Sequence, residues 1–119
     1  MKILICDDSI LARKQLSDAI KLFDEGVEIL EAKNGMECVE MYTSDKPDLV
    51  FIDIVMPVLD GVSAVKGIIE ADKDAKVIIV SSVGTQKELK AAIEAGAKDF
   101  IQKPFSKAQI QEVVKYYNK

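Results

Sequence analysis

Short β-branched runs recur along this chain at nearly constant intervals, and that rhythm limits its folds more than any single motif. The runs are residues 3–6, 27–30, 49–52, 77–80 and 99–101, with starts 24, 22, 28 and 22 residues apart. Such an interval fits one strand, one helix and two short loops. The runs are nearly continuous rather than alternating, which predicts strands buried on both faces of a parallel sheet. The intervening segments carry helical stripes: Ala12, Leu16, Ala19, Ile20 and Phe23; then Leu89, Ala92, Ile93 and Gly96; then Ile110, Val113, Val114 and Tyr117. Asn34/Glu37, Thr85/Glu88 and Ser106/Gln109 have capping-box spacing, and Asp60-Gly61 can open a helix carrying Val62, Val65 and Ile69. Gly26 and Gly96 follow helical stripes, where left-handed caps favour glycine. Five β-α units with right-handed crossovers give an α/β fold, an open doubly wound parallel sheet with helices on both faces.

The 119 residues suit one domain, 1–119. A net charge of −4 argues against a nucleic-acid partner, which needs a basic face. The chain has no histidine, which removes histidine triads, imidazole metal sites and phosphohistidine carriers. Cys6 and Cys38 lack C-x-x-C spacing and sit in apolar surroundings, so they read as buried free thiols in a reducing compartment. No targeting segment is recognised, and the strongest apolar runs are far short of a membrane span. A soluble, cytoplasmic protein with no membrane partner is expected.

Ligands of open α/β sheets bind beyond the carboxyl ends of the strands. Asp7-Asp8, Asp53, Ser81-Ser82 and Lys103-Pro104 follow the first, third, fourth and fifth runs. Each has an ordinary reading. Asp7-Asp8-Ser9 can cap a helix, Asp53 can close a turn, Ser81 or Ser82 can satisfy a loop amide, and Lys103 can be a solvated charge. Jointly these readings weaken. Three carboxylates ~5 Å apart repel by roughly 3 kcal/mol per pair at an effective dielectric of ~20. A hard divalent cation offsets that repulsion, and oxygen donors without histidine or thiolate suit Mg²⁺. Carboxylate, metal, hydroxyl and Lys together fit phosphoryl chemistry through an aspartyl phosphate.

The segments Ile3-Leu4-Ile5-Cys6-Asp7-Asp8-Ser9, Pro47-Asp48-Leu49-Val50-Phe51-Ile52-Asp53-Ile54-Val55-Met56-Pro57, Asp60-Gly61, Val77-Ile78-Ile79-Val80-Ser81-Ser82 and Gly96-Ala97-Lys98-Asp99-Phe100-Ile101-Gln102-Lys103-Pro104-Phe105 come in an order that resembles response-regulator receiver domains, above all the single-domain chemotaxis members. The resemblance covers essentially the whole chain. It implies a five-stranded (βα)5 sheet of flavodoxin-like strand order 2-1-3-4-5. It implies Asp53 as phosphoacceptor from a histidine kinase or its phosphotransfer domain. Asp8 and Asp53 are then direct Mg²⁺ ligands, with Asp7 acting mainly through bound water and the Val55 carbonyl as a further ligand. Ser81 and Lys103 hold phosphoryl oxygens, and the Lys103-Pro104 peptide is cis.

The same resemblance implies a switch in which Ser81 and Phe100 rearrange a surface built from the fourth helix, fifth strand and fifth helix. The bland reading of Phe100 is a core or rim aromatic, and it lacks the hydroxyl of the Tyr common in chemotaxis members. Val55 and Val83 stand where relatives often carry polar residues that influence water attack, so a long-lived phosphoryl group is expected. Ile10, Leu11 and Pro104-Phe105 flank the pocket as a kinase-docking rim, although Ile10 and Leu11 read equally as core. Lys87, Lys90, Lys98 and Lys107 scatter over the output face and read equally as a solvated surface. A protein that is a monomer until phosphorylated, carries no output domain and signals to a flagellar motor switch is the first reading. A phosphorelay intermediate or the receiver of a longer transcriptional regulator reads almost the same. An aspartyl-phosphate phosphohydrolase needs an Asp where Val55 stands, and a pseudo-receiver would not need its complete acidic site. The chain is expected to be no enzyme beyond assisting its own phosphorylation and dephosphorylation.

Overall fold

Strand and helix alternate throughout: β1 (Lys2–Cys6), α1 (Ile10–Phe23), β2 (Glu28–Ala32), α2 (Gly35–Asp45), β3 (Leu49–Ile52), α3 (Gly61–Ala71), β4 (Val77–Ser81), α4 (Gln86–Ala95), β5 (Asp99–Gln102) and α5 (Lys107–Tyr117). The computed structural model describes residues 1–82 and 86–117. All strand pairs are parallel, in the order β2-β1-β3-β4-β5.

The unbroken apolar runs are explained by the two layers of helices. Leu4, Cys6, Val50, Ile52, Val77 and Ile79 pack on one face with Cys38 and Tyr42 of α2, Ala64, Val65 and Ile68 of α3, and Ala92 of α4. Ile3, Ile5, Leu49, Phe51, Ile78 and Val80 pack on the other with Leu16, Ala19 and Ile20 of α1 and Ile110 and Val114 of α5. Each strand therefore alternates faces, but both are apolar. Fully burying one such side chain is worth about 1.5–3 kcal/mol.

Capping follows the sequence in most places. Asp60 accepts the Ser63 N–H at 2.8 Å and opens α3. Ser106 and Gln109 form a complete reciprocal box. Asn34 accepts the Glu37 N–H, but the Glu37 carboxylate reaches back to the Lys33 N–H rather than to Asn34. The Thr85/Glu88 pair rests on Thr85, outside the described residues.

Several expectations are corrected. Cys6 and Cys38 are not free thiols; they form a disulfide with a Cα–Cα separation of 6.0 Å, ordinary for such a bond. The end of β1 and the first turns of α2 face the same core layer, and a separation of 32 residues hides that from any spacing rule. With no free thiol among the described residues, the cysteines give no sign of a reducing compartment. Gly26 takes no left-handed conformation; α1 stops at extended Asp24, whose carboxylate accepts the Gly26 N–H at 2.9 Å. Gly96 does carry a positive φ, +124°, and a Cβ there would press on the Ile69 side chain. β2 begins at Glu28 rather than Val27, which is buried just ahead of it. The outer parts of two stripes are uncovered. Phe23 ends α1 and is exposed, and on α4 only Ala92 is fully buried while Ile93 is 43% exposed. α4 leans on α3 beside the edge strand β5, so no sheet extends under its outer side.

Candidate functional site

The strand order reverses at β1, which has β2 on one side and β3 on the other. Register fixes what meets there. Cys6 pairs with Ile52, and the Asp53 N–H donates to the Cys6 carbonyl at 2.9 Å, so Asp7, Asp8 and Asp53 leave the sheet side by side. On the far side Ser81 pairs with Gln102, and the Lys103 N–H donates to the Ser81 carbonyl at 2.8 Å. Lys103 thus projects back across the strand ends, and its peptide bond to Pro104 is cis.

One carboxylate oxygen from each of Asp7, Asp8 and Asp53 lies within 4.8 Å of the others. The Lys103 Nζ sits 2.6 Å from Asp7 Oδ2 and 3.4 Å from Asp53 Oδ2. Lys103 is therefore no solvated charge; its side chain is only 19% exposed. Nor do the acids cap α1. Ser9 does that, accepting the Ala12 N–H at 3.2 Å, while Asp7 Oδ1 accepts the Ser9 N–H at 2.9 Å. Asp7 is buried, and Asp8 is exposed with no hydrogen bond on its carboxylate among the described residues.

Burial pushes the Asp53 carboxyl above its ordinary value, and the nearby Asp7 charge adds to that. Lys103 and the Val55 N–H pull the other way without cancelling it. For Lys103, burial works against the ammonium charge, but its hydrogen bond to Asp7 and the charges of Asp53 and Asp7 outweigh burial and raise its titration. With every acid ionised, three carboxylates and one ammonium leave a charge of −2, which one divalent cation neutralises. The donor set is oxygen alone, so the cluster fits a hard cation.

Gly61 brings α3 close to this edge, because a Cβ there would strike the Asp53 carbonyl and the Ile54 backbone. Its N–H donates to the Ile54 carbonyl at 2.7 Å. Between them the chain turns through Val58, at φ +69°. Val55 follows Asp53 in that loop, exposed, with its N–H 3.4 Å from Asp53 Oδ1. Ser81 is buried at the end of β4, and Phe100 is 45% exposed on β5. A pocket of about 250 Å³ lined by Ile54, Ser81, Gln86, Leu89, Phe100 and Gln102 lies between them.

Ile10 and Leu11 are exposed and are not core, Pro104 is exposed and Phe105 is half-buried. Lys87, Lys90, Lys98 and Lys107 are exposed, and Lys90 pairs with Glu94 at 3.9 Å. Val83 lies outside the described residues. One residue absent from the sequence reading stands out. Arg13 donates from Nη1 to the Asp7 carbonyl at 2.6 Å and from Nε to Glu31 Oε1 at 2.9 Å. Apolar periodicity gave no sign of it, since Arg13 sits in α1 next to the buried stripe.

An acidic cluster at the switch point of a five-stranded parallel sheet, bridged by a Lys from the last strand's loop, is the arrangement of a phosphoryl-accepting receiver. The chain belongs to the response regulator receiver domain family, whose model matches residues 3–115. It is 43% identical to the chemotaxis protein CheY of Thermotoga maritima over 119 residues, covering 99% of this chain and 98% of that protein. It is 43% identical to CheY of Bacillus subtilis, covering 95% of this chain and 93% of that one. Among solved structures it is similar to a chain of the CheX-CheY-BeF3-Mg²⁺ complex of Borrelia burgdorferi. That match has 36% identity and a TM-score of 0.89, and it covers 100% of this chain and 90% of that one. It is a signalling switch of the CheY type, a phosphorylatable response regulator of a two-component system. None of the described helices is long and apolar enough to cross a membrane.

Proposed function

We infer that Asp53 accepts a phosphoryl group from the phosphohistidine of a histidine kinase or its phosphotransfer domain. The observation that carries this reading is Lys103, whose ammonium spans Asp7 and Asp53 while the Asp8 carboxylate is left unengaged beside them. A carboxylate oxygen of Asp53 forms a bond to phosphorus as the phosphorus–nitrogen bond breaks, and the departing imidazole keeps its electron pair and takes up a proton. Lys103 then exchanges a carboxylate partner for a phosphoryl oxygen, and the Ser81 hydroxyl donates to another. Asp8, Asp53 and the Val55 carbonyl would hold Mg²⁺, with Asp7 acting through bound water. When bound, the metal supplies the positive charge that offsets the acids and the transferred group. Asp53 must be ionised to attack, so its raised titration makes uptake fall as pH drops through that value.

The transferred group draws Ser81 inward, and Phe100 moves into the pocket beside it. The face of α4, β5 and α5 then binds its target differently. Coverage of 99% of this chain and 98% of a CheY relative supports chemotaxis, with a flagellar motor component as the proposed target. The chain is proposed to be cytoplasmic, one domain over 1–119 and a monomer before phosphorylation. The chain is no enzyme towards other molecules. The exposed Ile10 and Leu11 rim supports docking of the phosphohistidine partner over the pocket.

The test is intact mass after incubation with acetyl phosphate, with and without Mg²⁺. A gain of one phosphoryl group that needs Mg²⁺ and is absent from Asp53→Asn is expected. A gain that persists in Asp53→Asn would overturn the assignment.

A further inference from the structure

Asp8 is the least restrained member of the acidic cluster. It is exposed, its carboxylate has no hydrogen bond among the described residues, and it precedes the first residue of α1 by only two positions. A ligand that must meet a metal at a fixed place therefore depends on its backbone being held. The Asp7 N–H donates to the Ala32 carbonyl at 3.1 Å, but among the described residues the carbonyl of the Asp7-Asp8 peptide itself is held by one side chain. Arg13 Nη1 donates to the Asp7 carbonyl at 2.6 Å, a short charge-assisted bond. The Arg13 side chain is only 13% exposed, and its Nε is anchored 2.9 Å from Glu31 on the edge strand β2. Neither contact is needed to form the elements. Ser9 already caps α1, and β2 is already paired to β1 through Glu31 opposite Ile5.

We propose that Arg13, anchored by Glu31, is a positioning residue for the metal site, fixing the Asp7-Asp8 peptide so that the Asp8 carboxylate meets the ion. This rests on the reading of the acidic cluster as a Mg²⁺ site. Glu31 has a second part. A bare guanidinium this close to the pocket would oppose a cation, and the Glu31 carboxylate offsets that charge. Only a two-pronged donor reaches from the end of β1 to β2, so Lys cannot replace Arg in full.

The sign of the effect separates positioning from plain electrostatics. Removing a positive charge near a cation site tightens binding by charge alone, whereas losing the clamp weakens it. Mg²⁺ titration by calorimetry on the wild-type chain, Arg13→Gln, Arg13→Lys and Glu31→Gln reads this directly. The expected result is a Kd for Mg²⁺ raised about tenfold in Arg13→Gln, the scale for residues that orient metal ligands. Arg13→Lys and Glu31→Gln should fall between it and the wild type. Phosphorylation by acetyl phosphate at saturating Mg²⁺ should recover to the wild-type rate, because Asp53, Lys103 and Ser81 are untouched. Unchanged or tighter Mg²⁺ binding in Arg13→Gln overturns the proposal. If that variant does not fold, unchanged binding in Arg13→Lys and Glu31→Gln does so. A rate deficit that persists at saturating Mg²⁺ also overturns it. A wild-type chain that binds no Mg²⁺ overturns the metal reading, and this one with it; a wild type that binds while the variants match it overturns this one alone.

Discussion

The carboxyl edge of the sheet is built in two ways. β3 is buried throughout and β1 from Ile3 onward, and the polar groups beyond them are tied to one another. Asp7 bonds Ser9 and Lys103, Arg13 bonds the Asp7 carbonyl and Glu31, and Asp53 bonds the Cys6 carbonyl. At α4 and β5 the cover is thin. Ala92 is the fully buried residue of α4, Ile101 is the buried residue of β5, and Ile93 and Phe100 are each more than two-fifths exposed. The first region keeps its shape because moving it breaks many bonds at once. The second can shift at small cost because little apolar area is given up. In the switch we propose, a rigid chemical site next to a loosely covered face converts a local change of charge into a change of surface.

The largest test of this contrast is in the central strands. Phe51→Ala removes a fully buried ring between α1 and α5 and should cost about 3–5 kcal/mol in urea unfolding. A loss below about 1 kcal/mol would show that the core is not where the structure places it. Lys103→Ala comes next. It leaves the buried Asp7 carboxylate with the Ser9 N–H but no cation beside it, and should cost about 3 kcal/mol at neutral pH, the low end for breaking a buried pair. The loss should shrink when Mg²⁺ is added, as the ion takes over the missing charge.

The double variant Val55→Asn with Val83→Glu should shorten the phosphoryl lifetime about tenfold, a barrier change of about 1.4 kcal/mol, read by decay of the phosphorylated mass. An unchanged lifetime would sink the idea that these apolar side chains protect the acyl phosphate. Smaller still is a pH effect. The folded Asp53 titrates above its unfolded value, so its favourable contribution is complete below the unfolded value near 3.8 and is lost as pH rises through the folded one. Asp53→Asn should therefore melt higher than the wild type at pH 7 without Mg²⁺, and the gap should close towards pH 4. A gap that widens on acidification would contradict the sign. At the bottom of the scale, Ile93→Ala should change stability by less than about 0.5 kcal/mol, because Ile93 lies on the open side of α4.

The two regions also differ in how far the amino acids announce them. β1, β3 and β4 are legible because each is a short unbroken run of branched side chains between two helical layers. The carboxylates, Ser81 and Lys103 are legible because each directly follows or ends such a run. β2 is shifted by one residue at its start and two at its end, since an edge strand tolerates Glu28 and Glu31 where a central strand could not. The α4 stripe looks like any buried stripe, and only the sheet's limit at β5 decides that Ile93 is left outside. The Cys6–Cys38 bond and the Arg13–Glu31 half of the clamp join segments 32 and 18 residues apart, and no local spacing encodes them.

Charge added at Asp53 should move the α4–β5 face while the β1–β3 edge stays in place. Amide hydrogen exchange with Mg²⁺ alone and with Mg²⁺ plus beryllofluoride, a tetrahedral stand-in for the phosphoryl group, tests this directly. Changed exchange is expected in α4, β5 and the segment around Phe100, with β1 and β3 nearly unaltered. Changes confined to β1 and β3, with α4 and β5 exchanging as before, would contradict it.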